Sequence, residues 1–476
     1  MEMGLSMNLN GDKDYYLTGH KFLQGQGLKR KGGKSLGMHM DIDKTTYEDL
    51  SIFNKEEEFS IFNKLNFTGT KEGRDRLWEY FSHPFSDKEH IVETQKILSL
   101  ILEKSDEWPQ IITNGTLMVI DKFYETSLDE IPEKRFMSAI SYKLLHGPDF
   151  SLVRYSLVHF ADFVRGMQNL IEILDRNECP MMLRSFLRRA KTLMDNDVIQ
   201  SLQKTEPRVK FSILQTVHYG NYARYRFKNA VFELMNIYGR LDAWYSMAIA
   251  TKKYQFSFPV FLDLPQPNID AVSLYHLLLP AAVSYDVQLN QQSNFLFLTG
   301  ANMAGKSTLI KAVGTSVYLA HLGMGVPAKQ MNLTLFDGIL SNINVVDNIV
   351  KGESYFFNEV QRIKKTILKI NNNGKWLVLI DELFKGTNVE DSMKCSSTVI
   401  KGLIKMKSSL FILSTHLYEI GDELKKYPNI AFKYFETTVK DDQLEFSYQL
   451  KEGISNDRLG YLILKREKVV EMLENL

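Results

Sequence analysis

Residues 300–307 read G-A-N-M-A-G-K-S and fill every position of the template G-x-x-x-x-G-K-[ST]. The apolar run at residues 295–298 precedes them and predicts a buried strand, and the residues from Thr308 onward have the apolar spacing of a helix. A strand–loop–helix unit of this kind directs backbone N–H groups and the positive end of a helix dipole at a polyphosphate. The loop therefore predicts that the chain binds a nucleoside triphosphate.

Two side chains of this loop have defined roles in the template. Lys306 is expected to reach the β- and γ-phosphates, and the Ser307 hydroxyl is expected to bind Mg²⁺. The residues predicted to contact the nucleotide are Gly300, Ala301, Asn302, Met303, Ala304, Gly305, Lys306, Ser307 and Thr308.

A second apolar run, residues 376–380, predicts a strand that is buried on both faces. It delivers Asp381 and Glu382 at its carboxyl end, where ligands bind in open α/β sheets. Asp381 suits a place in the Mg²⁺ sphere, and Glu382 suits a general base that polarises the attacking water. A strand that ends in two solvated acids is the alternative, which the phosphate loop upstream disfavours.

A third apolar run, residues 411–413, is followed by S-T-H, whose last residue is His416. A histidine at the end of a third buried strand can reach the terminal phosphate or the attacking water. His416 is therefore predicted to be catalytic together with Lys306 and Glu382, and a purely structural histidine is the alternative.

Composition indicates where the protein is located but leaves its partners open. Lys and Arg number 58 against 57 Asp and Glu, so a net charge of +1 neither demands nor excludes a nucleic acid. The two cysteines, Cys179 and Cys395, are too few for a metal cluster and are expected to be buried thiols of a reducing compartment. No apolar run approaches the roughly 20 residues that span a bilayer, and the N-terminus lacks a secretory signal. We therefore expect a cytoplasmic protein with no membrane partner.

The chain divides into three predicted parts. Residues 1–40 are rich in Gly and Lys and predict a flexible basic arm. Residues 41–255 have helical periodicity, with long stretches expected at 137–174, 181–202 and 209–252. Prolines punctuate short apolar runs after residue 256, which predicts an α/β domain over residues 256–476.

These segments together resemble the MutS family of DNA mismatch-repair proteins. The loop at residues 299–308 resembles the family's T-G-P-N-M-x-G-K-S-T, with Ala301 in place of proline, and its Asn302 and Met303 are the discriminating residues. The further resemblances are V-P-A at 326–328, G-E-S-Y-F with Glu359 at 352–359, L-I-D-E-L with Gly386 and Thr387 at 379–387, S-T-H at 414–416 and, in the helical half, segments at 49–53, 65–73 and 84–95.

The resemblance implies an architecture and a set of partners. An all-α core or lever domain would precede an α/β P-loop ATPase domain of the ABC type, and ATP and Mg²⁺ would be the cofactors. The family forms dimers with composite ATPase sites, so Ser354 becomes the candidate for a contact from one subunit to the nucleotide of the other. From the residues alone, the segment around Ser354 also reads as a plain helix cap.

The chain departs from the family pattern at several points. Phe384 and Lys385 stand where the family has G-R, and the aromatic that stacks on adenine aligns with Ala282 or Val283, with Tyr285 as the nearest substitute. The residues before 41 leave no room for the mismatch-recognition and connector domains. We therefore expect a short form of the family.

The predicted function is a DNA-binding ATPase, in which ATP hydrolysis is coupled to binding of mismatched, branched or duplex DNA in repair or recombination. The aromatic-basic stretch 219–228 and the arginines Arg184, Arg188 and Arg189 are candidate DNA contacts, and a solvated helix face with core aromatics is the equally open alternative. The alternative function is a nucleotide-gated dimerising protein-interaction module that does not bind DNA.

Overall fold

The computed structural model describes residues 39–206, 210–343, 355–440, 443–455 and 468–474. The described residues all belong to one compact unit. Helices give way to strands between Lys253 and Val260, close to the composition change predicted at residue 256. The exact domain boundary stays a prediction, and the predicted basic arm lies almost wholly outside the described residues.

The first half of the described chain is helical apart from a two-residue strand, β1 (Asp41–Ile42). Its helices are α1 (Lys44–Asp49), α2 (Ile61–Leu65), α3 (Lys71–Ser82), α4 (Lys88–Glu103), α5 (Asn114–Glu125), α6 (Phe136–Leu145), α7 (Gly147–Leu174), α8 (Met181–Met194), α9 (Asp197–Gln203), α10 (Ile213–Tyr225) and α11 (Lys228–Lys253). Single turns of 3₁₀-helix lie at Glu57–Phe59 and Ser105–Glu107.

The three long helical stretches expected from the sequence are each interrupted. The first breaks at His146, where Pro148 occupies the first turn of the next helix and its ring favours a helix start. The second breaks at Asn196, whose side chain accepts a hydrogen bond from the N–H of Ile199 and so caps a new helix. The third breaks between Tyr225 and Lys228. Buried apolar residues lie on both sides of each break, such as Tyr142 and Phe150 around His146, so apolar spacing alone does not reveal the break.

A buried carboxylate joins the two helices that make the most extensive contact in this half, α11 and α3. Asp242 of α11 is 2% exposed and accepts hydrogen bonds from the N–H of Gly69 at 3.0 Å and of Thr70 at 2.9 Å. The Thr70 hydroxyl also donates to it at 2.6 Å and accepts from the Gly73 N–H, which caps α3. A buried charge is tolerated only when it is paired or hydrogen-bonded in this way.

The second half of the chain adds two sheets. Its strands are β2 (Val260–Leu262), β3 (Ile269–Leu274), β4 (Tyr285–Leu289), β5 (Phe295–Thr299), β6 (Gln330–Thr334), β7 (Gly338–Asn342), β8 (Trp376–Asp381), β9 (Ser409–Ser414), β10 (Ile430–Lys440) and β11 (Gln443–Glu452). Its helices are α12 (Lys306–His321), α13 (Tyr355–Ile370), α14 (Val389–Leu403), α15 (Glu419–Leu424) and α16 (Val469–Glu474).

The larger sheet has the strand order β1-β7-β8-β9-β5-β10-β11. All of its pairings are parallel except that of β10 with β11, so the carboxyl ends of β5, β8 and β9 lie side by side at one edge. The smaller sheet has the order β2-β6-β3-β4. The helical first half and the mixed α/β second half agree with the predicted fold class at this level.

Alternate residues of the large sheet enter two different hydrophobic cores. On β8, Leu377 and Leu379 face the core that includes α12, whereas Val378 and Ile380 face the core that includes α13 and α14. Gly314 of α12 shows how closely the first face is packed, since an added Cβ would lie 2.5 Å from Leu379 Cδ1. The alternation puts Asp381, two residues beyond Leu379, on the side of α12.

Two further expectations bear on the location of the protein. Cys179 is buried as expected, whereas Cys395 is only half-buried, and both are free thiols. Within the described residues, none of the helices combines the length and the apolar character that crossing a membrane requires.

We expect Asp242→Asn to lower the free energy of unfolding by about 1–3 kcal/mol, because the amide can replace only one of the two accepting oxygens and leaves a buried donor unsatisfied. Gly73→Ala should cost about as much, because the new Cβ would lie 2.0 Å from Asp242 Oδ2. Urea unfolding measures both effects. Asp263→Asn is the control, since Asp263 pairs with Lys88 on the surface, and a loss there as large as that of Asp242→Asn would contradict this account.

Candidate functional site

The loop between β5 and α12 has the strand–loop–helix arrangement expected from its sequence. Gly305 has φ +112° and immediately precedes the first residue of α12, so the helix N-terminus opens directly from the loop. Gly300 has φ +138°, and a Cβ there would lie 3.1 Å from the Phe435 carbonyl oxygen. Both positions therefore favour glycine for their backbone conformation, and Gly300 favours it for space as well.

Lys306 is folded back over this loop. It is 5% exposed, and its Nζ donates to the carbonyl oxygens of Gly300 at 2.8 Å and Ala301 at 2.9 Å. Burial lowers the pKa of Lys306 to about 8, against the opposing attraction of Glu382 and Asp381. The ammonium group is thus held at the centre of the loop, where a polyphosphate would meet it.

Asp381 links the loop to two neighbouring strands. Its Oδ2 accepts a hydrogen bond from the Ser307 hydroxyl at 2.5 Å, and its Oδ1 accepts one from the Ser414 hydroxyl at the end of β9. The hydroxyl and carboxylate oxygens of Ser307 and Asp381 are the hard ligands that Mg²⁺ prefers, and Mg²⁺ usually keeps several water or phosphate ligands besides. The predicted pair of metal ligands is therefore adjacent and chemically suited to Mg²⁺.

Glu382 lies between two nitrogen groups. His416 Nε2 donates to its Oε1 at 2.7 Å, and Lys385 Nζ lies 3.0 Å from its Oε2. Burial raises the pKa of Glu382, but the hydrogen bonds and charges of His416 and Lys385 outweigh that effect and hold the pKa at about 2. Lys306 Nζ is 3.4 Å from the same His416 nitrogen, so the three predicted catalytic side chains are brought together.

Several residues around this cluster have left-handed backbone conformations. Met303, Glu382 and Phe384 have φ of +68°, +61° and +58°. Each such conformation costs a non-glycine residue roughly 1–3 kcal/mol and persists only where the surroundings enforce it. Strain of this kind concentrates at functional sites, which fits the position of these residues.

The sequence reasoning missed two supports of the site. Phe435 on β10 is fully buried and lies against both loop glycines, and its ring meets that of Tyr285 edge-to-face at 5.5 Å. Tyr285 is therefore a buried support of Phe435 and does not stand open for stacking on a base. Glu359 on α13 is 1% exposed and accepts from the N–H groups of Lys385 at 3.3 Å and Gly386 at 3.4 Å. Only the family pattern had marked Glu359.

Ser354, the candidate for a contact between subunits, lies outside the described residues. In the loop, Asn302 and Met303 are exposed, whereas Ala301 and Ala304 are buried. Ser307 and Thr308, in the first turn of α12, are half-buried.

Most of the candidate DNA contacts on the helical half are occupied within the protein. Arg224 donates to the carbonyl oxygens of Phe123 and Thr126, and Tyr219 is buried with its hydroxyl 2.8 Å from that of Ser201. Arg184 donates to backbone carbonyls, and Arg189 pairs with both carboxylate oxygens of Glu233. Tyr219 and Arg224 therefore have structural roles within the protein, as the alternative to DNA contact holds. Arg188, Arg226 and Lys228 remain exposed.

Comparison with known proteins shows similarity to the MutS family over part of the chain. Residues 296–472 match the sequence model of MutS domain V. The chain is 26% identical over 290 residues to the DNA mismatch repair protein MutS of Petrotoga mobilis, a match that covers 58% of this chain and 35% of that protein. It is 27% identical over 245 residues to the protein of the same name from Streptococcus pyogenes, covering 50% of this chain and 28% of that protein. The MutS of Pseudothermotoga lettingae is 27% identical over 232 residues.

The matched part of the chain corresponds to about a third of the length of these curated relatives. Domain V of the family is its P-loop ATPase domain, and the matched range contains the loop, Asp381, Glu382 and His416. Over this range, the chain is similar to the ATPase domain of the MutS family.

Proposed function

We propose that this chain is a Mg²⁺-dependent ATPase that couples hydrolysis of ATP to binding of mismatched or structured DNA. The observation that carries the ATPase proposal is that the groups following three adjacent parallel strands meet at one place. The loop after β5, the acids at the end of β8 and His416 after β9 meet within hydrogen-bonding distance. A P-loop domain of the ABC type accounts for this arrangement.

The proposed roles follow from the contacts. Lys306 exchanges the carbonyl oxygens of Gly300 and Ala301 for phosphate oxygens, and Gly300, Gly305 and the first turn of α12 supply backbone N–H groups. Ser307 and Asp381 would hold Mg²⁺, which supplies charge neutralisation on the phosphates. Glu382 accepts a proton from the attacking water, and His416 orients the Glu382 carboxylate and can donate to the terminal phosphate.

The partners are proposed on the strength of the family. The relatives carry the name DNA mismatch repair protein, and a homodimer with composite sites would let Ser354 of one copy reach the nucleotide of the other. Among the candidate DNA contacts in the described residues, Arg188, Arg226 and Lys228 are exposed cations, and Arg189 is exposed but paired with Glu233. Arg188, Arg226 and Lys228 are the residues through which we propose phosphate contacts.

One observation favours a second candidate function. Tyr219, Arg224, Arg184 and Arg189 are all engaged in contacts within the protein, which reduces the side chains left for DNA. A nucleotide-gated dimerising module without DNA binding would need none of them.

Glu382→Gln is expected to bind ATP but to hydrolyse it roughly 10²- to 10⁴-fold more slowly, because the amide cannot accept the proton of the attacking water. Lys306→Ala is expected to lose nucleotide binding itself. Steady-state ATPase and equilibrium ATP binding, measured with and without DNA, separate the two defects. Normal turnover by Glu382→Gln would overturn the assignment of the general base.

ATP affinity should weaken as pH rises above 8. The pKa of Lys306 is about 8 in the free protein, so a growing fraction of this lysine is neutral at higher pH. ATP binding then has to be coupled to protonation of Lys306. The dissociation constant for ATP should therefore rise by up to about tenfold per pH unit, between the pKa of Lys306 in the free protein and its higher pKa in the complex. Lys306→Arg stays charged over this range and should lose that dependence, even if its affinity is lower. A wild-type affinity that is flat from pH 7 to 10 would contradict a titrating lysine in the loop.

The two candidate functions differ in their response to DNA. We expect binding to duplex, mismatched or branched DNA that weakens with salt, with a slope of about −0.9 per phosphate contacted. Combined Arg188→Ala, Arg226→Ala and Lys228→Ala should reduce both affinity and slope, and Arg184→Ala is the matched control because Arg184 bonds to backbone within the protein. ATP-dependent dimerisation without DNA binding at low salt would establish the second function.

A further inference from the structure

Two residues with strained backbone conformations lie in the segment that carries the candidate general base, Glu382. Glu382 and Phe384, with φ of +61° and +58°, belong to the segment that leaves β8 and ends at α14. Phe384 is buried, and its ring lies 5.6 Å from that of Phe356 on α13. A segment held in such a conformation needs an external constraint, since its own backbone preference opposes it.

Glu359 supplies that constraint from the neighbouring helix. Its carboxylate faces successive backbone N–H groups, accepting from Lys385 at 3.3 Å and from Gly386 at 3.4 Å, each through a different oxygen. Burial raises the pKa of Glu359, while the hydrogen bonds of Lys385, Gly386 and Phe384 oppose that rise. A concave run of backbone N–H groups around one anion is a recurrent way to fix a loop.

The fixed loop carries the side chain that reaches Glu382. Lys385 Nζ lies 3.0 Å from Glu382 Oε2, while the other oxygen, Oε1, is held by His416. His416 and Lys385 therefore orient the two oxygens of the Glu382 carboxylate. The contact from Lys385 depends on where the loop places the Lys385 backbone. Glu359 and Glu382 are connected through that backbone and that ion pair.

From this connection we propose that Glu359 is a positioning residue for the ATPase reaction, acting on Glu382 through Lys385. The proposal rests on the proposed ATPase function. A carboxylate whose orientation relaxes by about 1 Å loses much of its advantage as a base, which can cost up to roughly 10²-fold in rate. ATP binding, which depends on the loop after β5, should be unaffected.

The test is a double-mutant cycle of Glu359→Gln and Lys385→Met. The glutamine oxygen can accept one N–H but its NH₂ group meets the other, so the loop loses its anchor. Each single variant should lower kcat by roughly 10- to 100-fold, with the dissociation constant for ATP within about twofold of wild type. Because both changes break the same connection, the double variant should be no slower than the slower single variant.

The controls separate a positioning role from a loss of stability. Asp242→Asn removes a similar buried carboxylate that accepts backbone N–H groups elsewhere, and it should lower stability without lowering kcat. Lys385→Arg keeps a cation near Glu382 and should retain most of the wild-type kcat. If Glu359→Gln does not fold, Glu359→Asp replaces it in the same cycle, and Lys385→Met, an exposed change, is measured regardless.

The outcomes distinguish this inference from the proposed function. Multiplicative losses in the double variant, or a kcat for Glu359→Gln no lower than that for Asp242→Asn, would overturn the positioning role while leaving the ATPase intact. A wild-type protein with no turnover above that of Glu382→Gln would overturn the ATPase proposal and this inference with it. The positioning role is established if the double variant is no slower than the slower single variant and the ATP affinity is unchanged.

Discussion

The hydrogen bonds of Asp381 hold the site together. One carboxylate oxygen accepts from Ser307 at the start of α12 and the other from Ser414 at the end of β9, so a single side chain joins three consecutive parallel strands at their carboxyl ends. This is possible because strand pairing aligns Asp381 with Ser414 and the alternation along β8 turns it toward α12. The positions of Lys306, Glu382 and His416 follow from that alignment.

Close contacts with neighbouring groups determine the charge state of the site's side chains. Lys306 is bound to loop carbonyls, and Glu382 is held by His416 and Lys385 with a pKa of about 2, far below the value near 7 that suits a general base. This low pKa keeps Glu382 ionised, which is the form of the carboxylate that can accept a proton. The family pattern has G-R where this chain has Phe384 and Lys385, so Lys385 keeps the positive charge of the arginine at that position.

In the helical half, buried polar contacts hold one helix against another. Asp242 accepts hydrogen bonds from the start of α3, and Arg224 donates to carbonyl oxygens at the end of α5. Both charged residues are therefore used within the protein. This is the physical reason why aromatic-basic stretches are ambiguous when read alone. A charge becomes a DNA contact only when the fold leaves its donors unpaired, and a linear pattern does not contain that information.

The sequence alone determined the phosphate loop, its flanking strand and helix, and the acids and histidine at two further strand ends, because a short apolar run, a turn that needs glycine and a helix start are local features. It also carried the family resemblance. Tertiary structure decided which strands are neighbours, which face each side chain takes, and that Glu359 and Phe435, distant along the chain, support the loops. Those contacts depend on strand order and on the packing of both cores, and no local spacing encodes either.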